Sequence, residues 1–211
     1  MLRKYNLMNI DIYDFDKTIV PFDSGSLFCG YCLLHYPYLI LFLPIAVPVL
    51  LTAAILMILK IIRFTDFKKI CFMFVPLIPL DKAVKGFWDR HEKDVHKWFY
   101  KRERYSVVIS ASPDFLLNEI GDRLGFDKLI CTRHNRKTGS IIGENCRGEE
   151  KIKRLSQEFD MTDINVINVY SDSLKHDRPI FSLGKNCYQI VNSKIVPFKY
   201  DEVYTNGDLR G

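Results

Sequence analysis

The sequence predicts an α/β fold in which a parallel sheet with flanking helices is interrupted by a long, strongly apolar helical insertion. Strand-like and helix-like segments alternate through the second half of the chain, which is typical of a parallel sheet. One more strand-like segment, NIDIYDF, stands alone near the N-terminus. Between these two regions, residues 24–59 contain no Asp, Glu, Lys or Arg.

The size and the charge of the chain limit the classes of function that it can have. A chain of 211 residues fits one α/β domain with an insertion. Its charged fraction of 26% is ordinary, whereas its hydrophobic fraction of 48% is high. The net charge of +5 suits an anionic substrate or an anionic membrane surface, but it is too small to predict nucleic-acid binding.

The cysteines and the N-terminus predict a reducing, cytoplasmic location. Cys29 and Cys32 form a C-x-x-C within the apolar run LFCGYCLL, and no second ligand pair completes a zinc site. Buried thiols are therefore favoured over redox or metal chemistry. No cleavable signal-peptide pattern precedes the first strand.

The elements of the first half are a strand and a largely apolar helical region. Alternation over Asn9–Phe15 predicts a strand that ends in an acidic loop. The centre of the uncharged run, PYLILFLPIAVPVLLTAAILMIL, predicts a helix in a membrane or deep in a protein core. Residues 81–104 are charged and aromatic, which predicts one or two amphipathic helices.

The second half alternates between strands and helices. YSVVIS, residues 105–110, predicts a buried strand, and residues 111–125 predict a helix with Ser112 as its cap. A further helix is predicted at Glu149–Phe159, and residues 200–211 form a polar tail. The remaining predicted strands are Leu129–Thr132, Val166–Tyr170 and Tyr188–Val191.

Polar side chains collect where the predicted strands end, which is the edge that carries active sites in open α/β sheets. These residues are Asp14, Asp16, Ser110, Lys151, Asp172 and Asp177. Four clustered carboxylates need a cation, and an oxygen-only ligand set favours Mg²⁺ over zinc. With a lysine opposite, such a site suits a phosphoryl group, one carboxylate acting as nucleophile and another handling protons.

The order of these motifs resembles the haloacid dehalogenase (HAD) superfamily, subfamily IB. The matching features are D-x-D-x-T at residues 14–18, a strand that ends in Ser110, a helical Lys151 and an SDS-x₃-D loop. The resemblance covers a Rossmann-like core, residues 1–20 and 104–211. It implies that residues 21–103 form an inserted all-helical (C1-type) cap.

The resemblance also implies a role for each residue. Asp14 would be the nucleophile and Asp16 the general acid/base, with its backbone carbonyl on Mg²⁺. Ser110 and Lys151 would hold phosphoryl oxygens, although Lys153 is a rival for the lysine. Asp172 would complete the metal shell, and Asp177 would support it directly or through an intermediate contact. The second acid, Asp16, is typical of the phosphatases of this superfamily.

Four further residues are candidates for substrate binding: Thr18, Asp23, Ser112 and Arg147. Thr18 belongs to the first motif, and Asp23 stands where related caps place a substrate-sensing acid. The alternative role of Ser112 is that of a helix cap, and the alternative for Arg147 is an ordinary surface arginine.

Longer stretches resemble one branch, the C-type phosphatidylglycerophosphate phosphatases. These stretches include FDSGSLFCGYCLLHYPYLILFLPIAVPVLL, ISASP and CRGEEKIKRL. The branch comprises bacterial enzymes whose helical cap touches the membrane. Its acidic loop usually separates the two acids by four positions, whereas Asp177 lies five positions after Asp172, so the role of Asp177 stays open.

The chemistry limits how the apolar run meets a membrane. Asp14 precedes the run and Ser110 follows it, so a single crossing would separate residues that must meet. Three prolines, Pro37, Pro44 and Pro48, also interrupt an ideal helix. Two arrangements remain. The run could form a hairpin that dips into one leaflet, or it could form an apolar cap that packs on itself or on a second subunit. The basic residues suited to an anionic interface are Lys60, Arg63, Lys68, Lys69 and the segment HKWFYKRER.

The predicted function is therefore a Mg²⁺-dependent phosphomonoesterase that forms an aspartyl-phosphate and acts on a lipid phosphate, with phosphatidylglycerophosphate favoured. It would work at the cytoplasmic face of the membrane, which it would contact through residues 24–80, and it would not bind nucleic acid. One alternative is a soluble phosphatase for a small metabolite such as phosphoserine, with its apolar cap buried in an oligomer. Another is a catalytically silent membrane-binding module, against which the intact acid set and Lys151 argue.

Overall fold

The computed structural model describes residues 7–204, so residues 1–6 and 205–211, the two ends of the expected core, lie outside the described residues. Its centre is a six-stranded sheet in the order β3-β2-β1-β4-β5-β6, in which only the pairing of β5 with β6 is antiparallel. The strands are β1 Met8–Tyr13, β2 Tyr105–Pro113, β3 Lys128–Thr132, β4 Ile164–Ser171, β5 Asn186–Val191 and β6 Lys194–Phe198.

Helices cover the sheet and fill the long segment between its first two strands. Those between β1 and β2 are α1 Ser24–His35, α2 Leu43–Ile58, α3 Phe64–Cys71 and α4 Leu80–His91. Those that follow β2 are α5 Asp114–Leu124, α6 Glu149–Glu158, α7 Arg178–Phe181 and α8 Tyr200–Tyr204. A 3₁₀ segment, Pro37–Phe42, leads directly into α2. The predicted α/β fold, with its mostly parallel sheet and helical insertion, is confirmed.

The structure differs from the sequence-based expectations at three places. Strand β2 continues to Pro113 and α5 begins at Asp114, so Ser112 does not cap this helix. Strand β6 was not predicted: it returns along β5 through Asn192 and Ser193, which both adopt positive φ, as a two-residue hairpin turn requires. The predicted polar tail begins with α8, where the hydroxyl of the buried Tyr204 donates to the Leu174 carbonyl at 2.7 Å.

Strand β1 lies where the order of the sheet reverses, which places the site. The chain runs from β1 to β2 and β3 on one side and then returns to β4 on the other side of β1. The crevice at the carboxyl ends of such strands is the usual binding site of an open α/β sheet. Successive side chains of β1 point to opposite faces of the sheet. Ile12 packs in the core cluster on the side of α6, and Tyr13 packs in the cluster on the side of the inserted helices, so β1 is held in place from both faces.

The end of the insertion is anchored to the core. Phe99 is fully buried, and the Arg102 guanidinium donates to the Gly125 carbonyl at 2.7 Å, at the end of α5. The segment HKWFYKRER, expected at a membrane interface, thus packs at least in part against the protein itself.

Candidate active site

Two aspartates leave the end of β1 in the order that the sequence predicts. The Asp14 amide donates to the Tyr170 carbonyl of β4 at 2.9 Å, which continues the sheet for one more residue. The chain then makes one tight turn in which the Ile19 amide donates to the Phe15 carbonyl at 2.8 Å, and Lys17 takes a positive φ of 55°. This turn brings Asp14 and Asp16 to one cavity.

Lys151 forms a buried ion-paired cluster with two aspartates. Its Nζ lies 2.7 Å from Asp14 Oδ1 and 2.7 Å from Asp177 Oδ1. The second oxygen of Asp177 accepts from the Ser171 hydroxyl at 2.5 Å. Both Asp177 oxygens therefore already have partners within the protein. This favours support of the metal through an intermediate contact over direct coordination by Asp177.

The structure decides between the two candidate lysines. Lys151 is 2% exposed, whereas the side chain of Lys153 is 64% exposed and pairs with Glu150 on the same helix. Gly148, with φ of 59°, precedes α6 and allows the sharp entry that aims the first turn of the helix at Asp14.

The cluster carries more negative charge than its lysine balances. Burial raises the pKa of Asp14 to about 8; the Lys151 charge opposes this rise, and the charge of Asp177 adds to it. Burial alone would lower the pKa of Lys151, but the charges of Asp14 and Asp177 outweigh burial and raise it, so this lysine remains protonated. Burial and the Asp177 charge also raise the pKa of Asp172.

Serine hydroxyls and amides hold Asp16. One carboxylate oxygen accepts from the Ser24 amide at 2.9 Å, and the other accepts from the Ser112 hydroxyl. Ser110, almost fully buried, accepts from the Ser112 amide at 3.1 Å. Ser110 and Ser112 both line the cavity, so Ser112 belongs to the site without capping a helix.

Thr18, a candidate for substrate binding, is not among the residues that line the cavity. It is fully buried, and its hydroxyl accepts from the Asp172 amide at 3.0 Å. The same oxygen lies 3.5 Å from Asp14 Oδ2, to which it donates. Thr18 therefore ties the loop after β1 to the loop after β4.

Asp23 and Arg147, both candidates for substrate binding, line the cavity. Asp23 also caps α1 by accepting from the Ser26 amide at 2.8 Å. Burial lowers the pKa of Arg147, and the charge of Asp177 opposes that shift.

Sequence reasoning missed Lys68, which it assigned to a membrane interface. Lys68 extends from α3 into the cavity, where it donates to the Ala111 carbonyl and lies 3.4 Å from Asn145 Oδ1. Burial lowers the pKa of Lys68, and the charges of Asp16 and Asp23 oppose this shift. The adjacent Lys69 pairs with Asp66 instead, so only the fold distinguishes the two lysines.

The donor set fits Mg²⁺ as far as the described residues show. Across residues 7–204, no group of three or more Asp, Glu, His or Cys side chains could hold a metal ion by itself. Mg²⁺ commonly takes one or two carboxylates and completes its shell with water and substrate phosphate. Asp14 and Asp172 both face the cavity and supply two carboxylates, and the excess negative charge of the cluster favours a cation there.

A cavity of about 820 Å³ connects the acids with the inserted helices. Its polar part contains the acids, Lys151, Lys68, Arg147 and His176. Its remaining wall consists mainly of apolar side chains from α1, α2, α3 and the segments next to them. The insertion thus completes a site whose Asp14, Lys151 and Asp177 come from the core.

Curated relatives match only part of the chain. Protein CicA from Caulobacter vibrioides (strain NA1000 / CB15N) is 30% identical over 93 residues, which is 42% of this chain and 41% of that protein. The protein of the same name from strain ATCC 19089 / CIP 103742 / CB 15 gives the same values. The matched stretch therefore spans about two fifths of the length of these relatives.

Solved structures share the fold over most of the chain. A protein of unknown function from Bordetella pertussis Tohama I has a TM-score of 0.62 at 16% identity and covers 80% of this chain and 84% of its own. A phosphoserine phosphohydrolase-like protein from Francisella tularensis has a TM-score of 0.55 at 14% identity, over 89% and 90% of the two chains. A phosphoserine phosphatase with a phospho-aspartyl intermediate analogue has a TM-score of 0.55 at 18% identity, over 86% of both chains.

The profile of the haloacid dehalogenase-like hydrolases matches residues 12–182, from the end of β1 through α7. This range contains all of the candidate catalytic residues. The chain belongs to the haloacid dehalogenase-like hydrolase family.

Proposed function

We propose that this protein is a Mg²⁺-dependent phosphatase that forms an aspartyl-phosphate on Asp14 and removes phosphate from a lipid phosphate monoester at a membrane surface. The observation that carries the proposal is the single cavity that joins the Asp14–Lys151–Asp177 cluster to an apolar wall. A structure of the same fold holds a phospho-aspartyl intermediate analogue in a phosphoserine phosphatase, which supports the covalent step.

In the first step, a carboxylate oxygen of Asp14 attacks phosphorus while the bond from phosphorus to the alcohol oxygen breaks. Asp16 donates a proton to the departing oxygen, and the alcohol leaves. Asp16 then takes a proton from water as the water oxygen attacks phosphorus, which releases inorganic phosphate and restores the Asp14 carboxylate. Ser24 and Ser112 fix the Asp16 carboxylate for both proton transfers.

Lys151 and Ser110 are suited to bind the phosphoryl oxygens. The Lys151 ammonium is fixed by Asp177 and faces Asp14, where negative charge develops during transfer. Asp14, Asp172 and the backbone carbonyl of Asp16 would hold Mg²⁺, which would supply further positive charge to the phosphoryl group.

The surface of the insertion supports a lipid substrate. Among the described residues, one helical stretch, Pro37–Ile58, is long and apolar enough to cross a membrane. Within it, only 11% of an apolar segment of 18 residues is buried in the protein. A core helix of a soluble protein would be mostly buried. Ile45 is 70% exposed and Ile58 74% exposed, so this helix is apolar on faces that the protein does not cover.

The topology supports a helix that lies in one leaflet and does not cross. The insertion begins after β1 and ends before β2, and these strands are parallel neighbours. Both ends of the insertion must therefore return to the same side of a membrane. Phosphatidylglycerophosphate is the favoured lipid because of the resemblance to the C-type phosphatases, and the cytoplasmic face is the favoured location.

The experiment measures phosphate release with Mg²⁺ from phosphatidylglycerophosphate in mixed micelles, phosphoserine and an aryl phosphate. We expect the lipid to be preferred and EDTA to stop release. Asp14→Asn should lower turnover by at least about 10³-fold, and Lys151→Met by about 10²-fold or more, because each removes a group that acts in the transition state. Lys153→Met is the matched control and should retain turnover.

Each part of the proposal has its own contrary result. Turnover that survives Asp14→Asn would exclude the covalent mechanism. Phosphoserine turned over faster than the lipid, by a protein that stays monodisperse without detergent, would replace the lipid substrate by a small metabolite. If none of the three esters is hydrolysed, the catalytically silent membrane-binding module becomes the better interpretation.

A further inference from the structure

Helix α2 has one face toward the cavity and the others toward the surroundings. Leu43, Ala46 and Leu50 line the cavity, and their i, i+3, i+7 spacing places them along one side of the helix. Ala53, one turn further, is 4% exposed and continues this side. On other sides, Ile45, Leu51 and Ile55 are more than half exposed.

The rest of the apolar wall comes from the neighbouring segments of the insertion. These side chains are Leu33, Leu39, Phe42, Phe67, Phe72, Met73 and Phe74. Together with Leu43, Ala46 and Leu50 they form the apolar arm of the cavity. The thiols of Cys29 and Cys71 also line the cavity, and the same cavity includes Asp14 and Lys151.

We infer that the apolar arm binds an acyl chain of the substrate while the phosphate lies at Asp14, and that Ala46 sets the width available to that chain. This inference rests on the proposed function and specifies how the same site selects its substrate. The arm is continuous with the phosphoryl site, so one molecule with a phosphate at one end and a hydrocarbon chain at the other can fill both parts.

The surroundings of α2 favour a lipid chain over a compact apolar group. The arm borders a helix whose outward side chains are also apolar, so a chain longer than the arm would continue along hydrocarbon. A small polar ester would leave the arm in contact with water, which is unfavourable for apolar surface. Ala46 carries only a methyl group between Leu43 and Leu50, so it is the smallest of the three side chains with which α2 lines the cavity.

The test uses alkylphosphonates from butyl to decyl, below the concentrations at which they aggregate. Their carbon–phosphorus bond is not hydrolysed by a phosphatase, so titration calorimetry with Mg²⁺ reports binding without turnover. In the wild type we expect Kd to fall by about two- to fourfold per added methylene until the arm is filled, since each buried methylene strengthens binding by about fourfold at most.

Ala46→Trp should remove most of this dependence on chain length, because it weakens the binding of decylphosphonate far more than the binding of butylphosphonate. Val47→Trp is the matched control: the same bulk is added at the next residue, which is 43% exposed and does not line the cavity, so the dependence should remain. Leu50→Asn provides a second variant that lowers the apolarity of the arm without adding volume, and it should also weaken decylphosphonate selectively.

A chain-length dependence that is the same in Ala46→Trp, Leu50→Asn and the wild type would overturn the inference. If hydrolysis of aryl phosphate persists in that case, the proposed phosphatase function stands. If no phosphonate binds and no ester is hydrolysed, both the proposed function and the inference fail. Melting temperatures of the variants, compared with the wild type, identify any loss of binding that reflects unfolding.

Discussion

Individual residues acquire their roles through burial that local sequence does not reveal. Lys151 and Lys153 stand two positions apart on α6, yet only Lys151 enters the cluster with Asp14 and Asp177. The same holds for Lys68 and Lys69, of which only Lys68 reaches the cavity. On a helix, neighbouring residues point in different directions, so one step along the chain separates a site residue from a surface residue.

Thr18 provides a prediction at this scale. Thr18→Val keeps the side-chain shape but removes the oxygen that accepts from the Asp172 amide. We expect the free energy of unfolding to fall by about 1 kcal/mol, because a partly buried amide loses its partner. Phosphate release should fall as well, since Asp172 is no longer fixed relative to Asp14. Chemical denaturation and the phosphate-release assay measure the two effects.

Thr18→Ser is the control for this prediction. It retains the hydroxyl and should restore most of the activity, although it loses a buried methyl group. Full activity in Thr18→Val would mean that the link between the two loops has no part in positioning the acids.

At the scale of elements, the seam between the insertion and the core is aromatic. The imidazole of His134 lies edge-on to the rings of Phe72 and Phe115, with ring centroids 5.4 Å and 5.5 Å away. Its Nδ1 bonds to the Thr132 carbonyl at 3.1 Å, and its buried Nε2 has no hydrogen-bond partner among the described residues. His134 is therefore held as the neutral form.

This arrangement predicts a pH-dependent stability. Burial lowers the pKa of His134; the Thr132 carbonyl and the Asp114 charge oppose the shift, and the Lys68 charge adds to it. Below the ordinary histidine pKa of about 6.5, the unfolded chain binds a proton that the folded protein does not. The contribution is therefore constant above that pH and is lost as the pH falls, by at most about 1.4 kcal/mol per pH unit.

His134→Phe isolates this effect. We expect the free energy of unfolding of the wild type to fall more steeply between pH 7 and pH 5 than that of His134→Phe, as measured by urea denaturation. The difference between the two slopes removes the contribution of other titrating groups. Parallel curves over this range would show that His134 is protonated in the folded protein.

At the scale of the whole molecule, α2 carries large apolar side chains that the rest of the protein does not cover. A chain of this size would normally cover such a surface, since large exposed apolar patches mark contacts with a membrane or a partner. Lys60 and Arg63 follow α2 immediately and carry charge that suits anionic lipid.

A vesicle-binding experiment tests this feature. We expect the protein to float with vesicles that contain anionic phospholipid, and to remain bound at high salt because the contact is mainly apolar. The combined change Ile45→Asp, Leu51→Asp and Ile55→Asp should abolish flotation and retain hydrolysis of the aryl phosphate. The control, Lys194→Asp with Lys199→Asp, adds negative charge on the far edge of the sheet and should still float.

Flotation of the Asp-substituted variant would mean that another surface meets the membrane. A wild type that does not float and is dimeric by light scattering would indicate that a second copy covers α2.

The sequence alone was sufficient to predict the α/β fold, the helical insertion and the main acids of the site. Alternating patterns report which segments form strands, and the residues after a parallel strand must lie at one edge of the sheet. It was not sufficient to place Thr18 outside the cavity lining, to choose between the two candidate roles of Ser112, or to predict the position of Lys68, strand β6 or the cavity. Those depend on which side chains from distant segments face one another, and only tertiary packing brings the apolar side of α2 to the same space as Asp14 and Lys151.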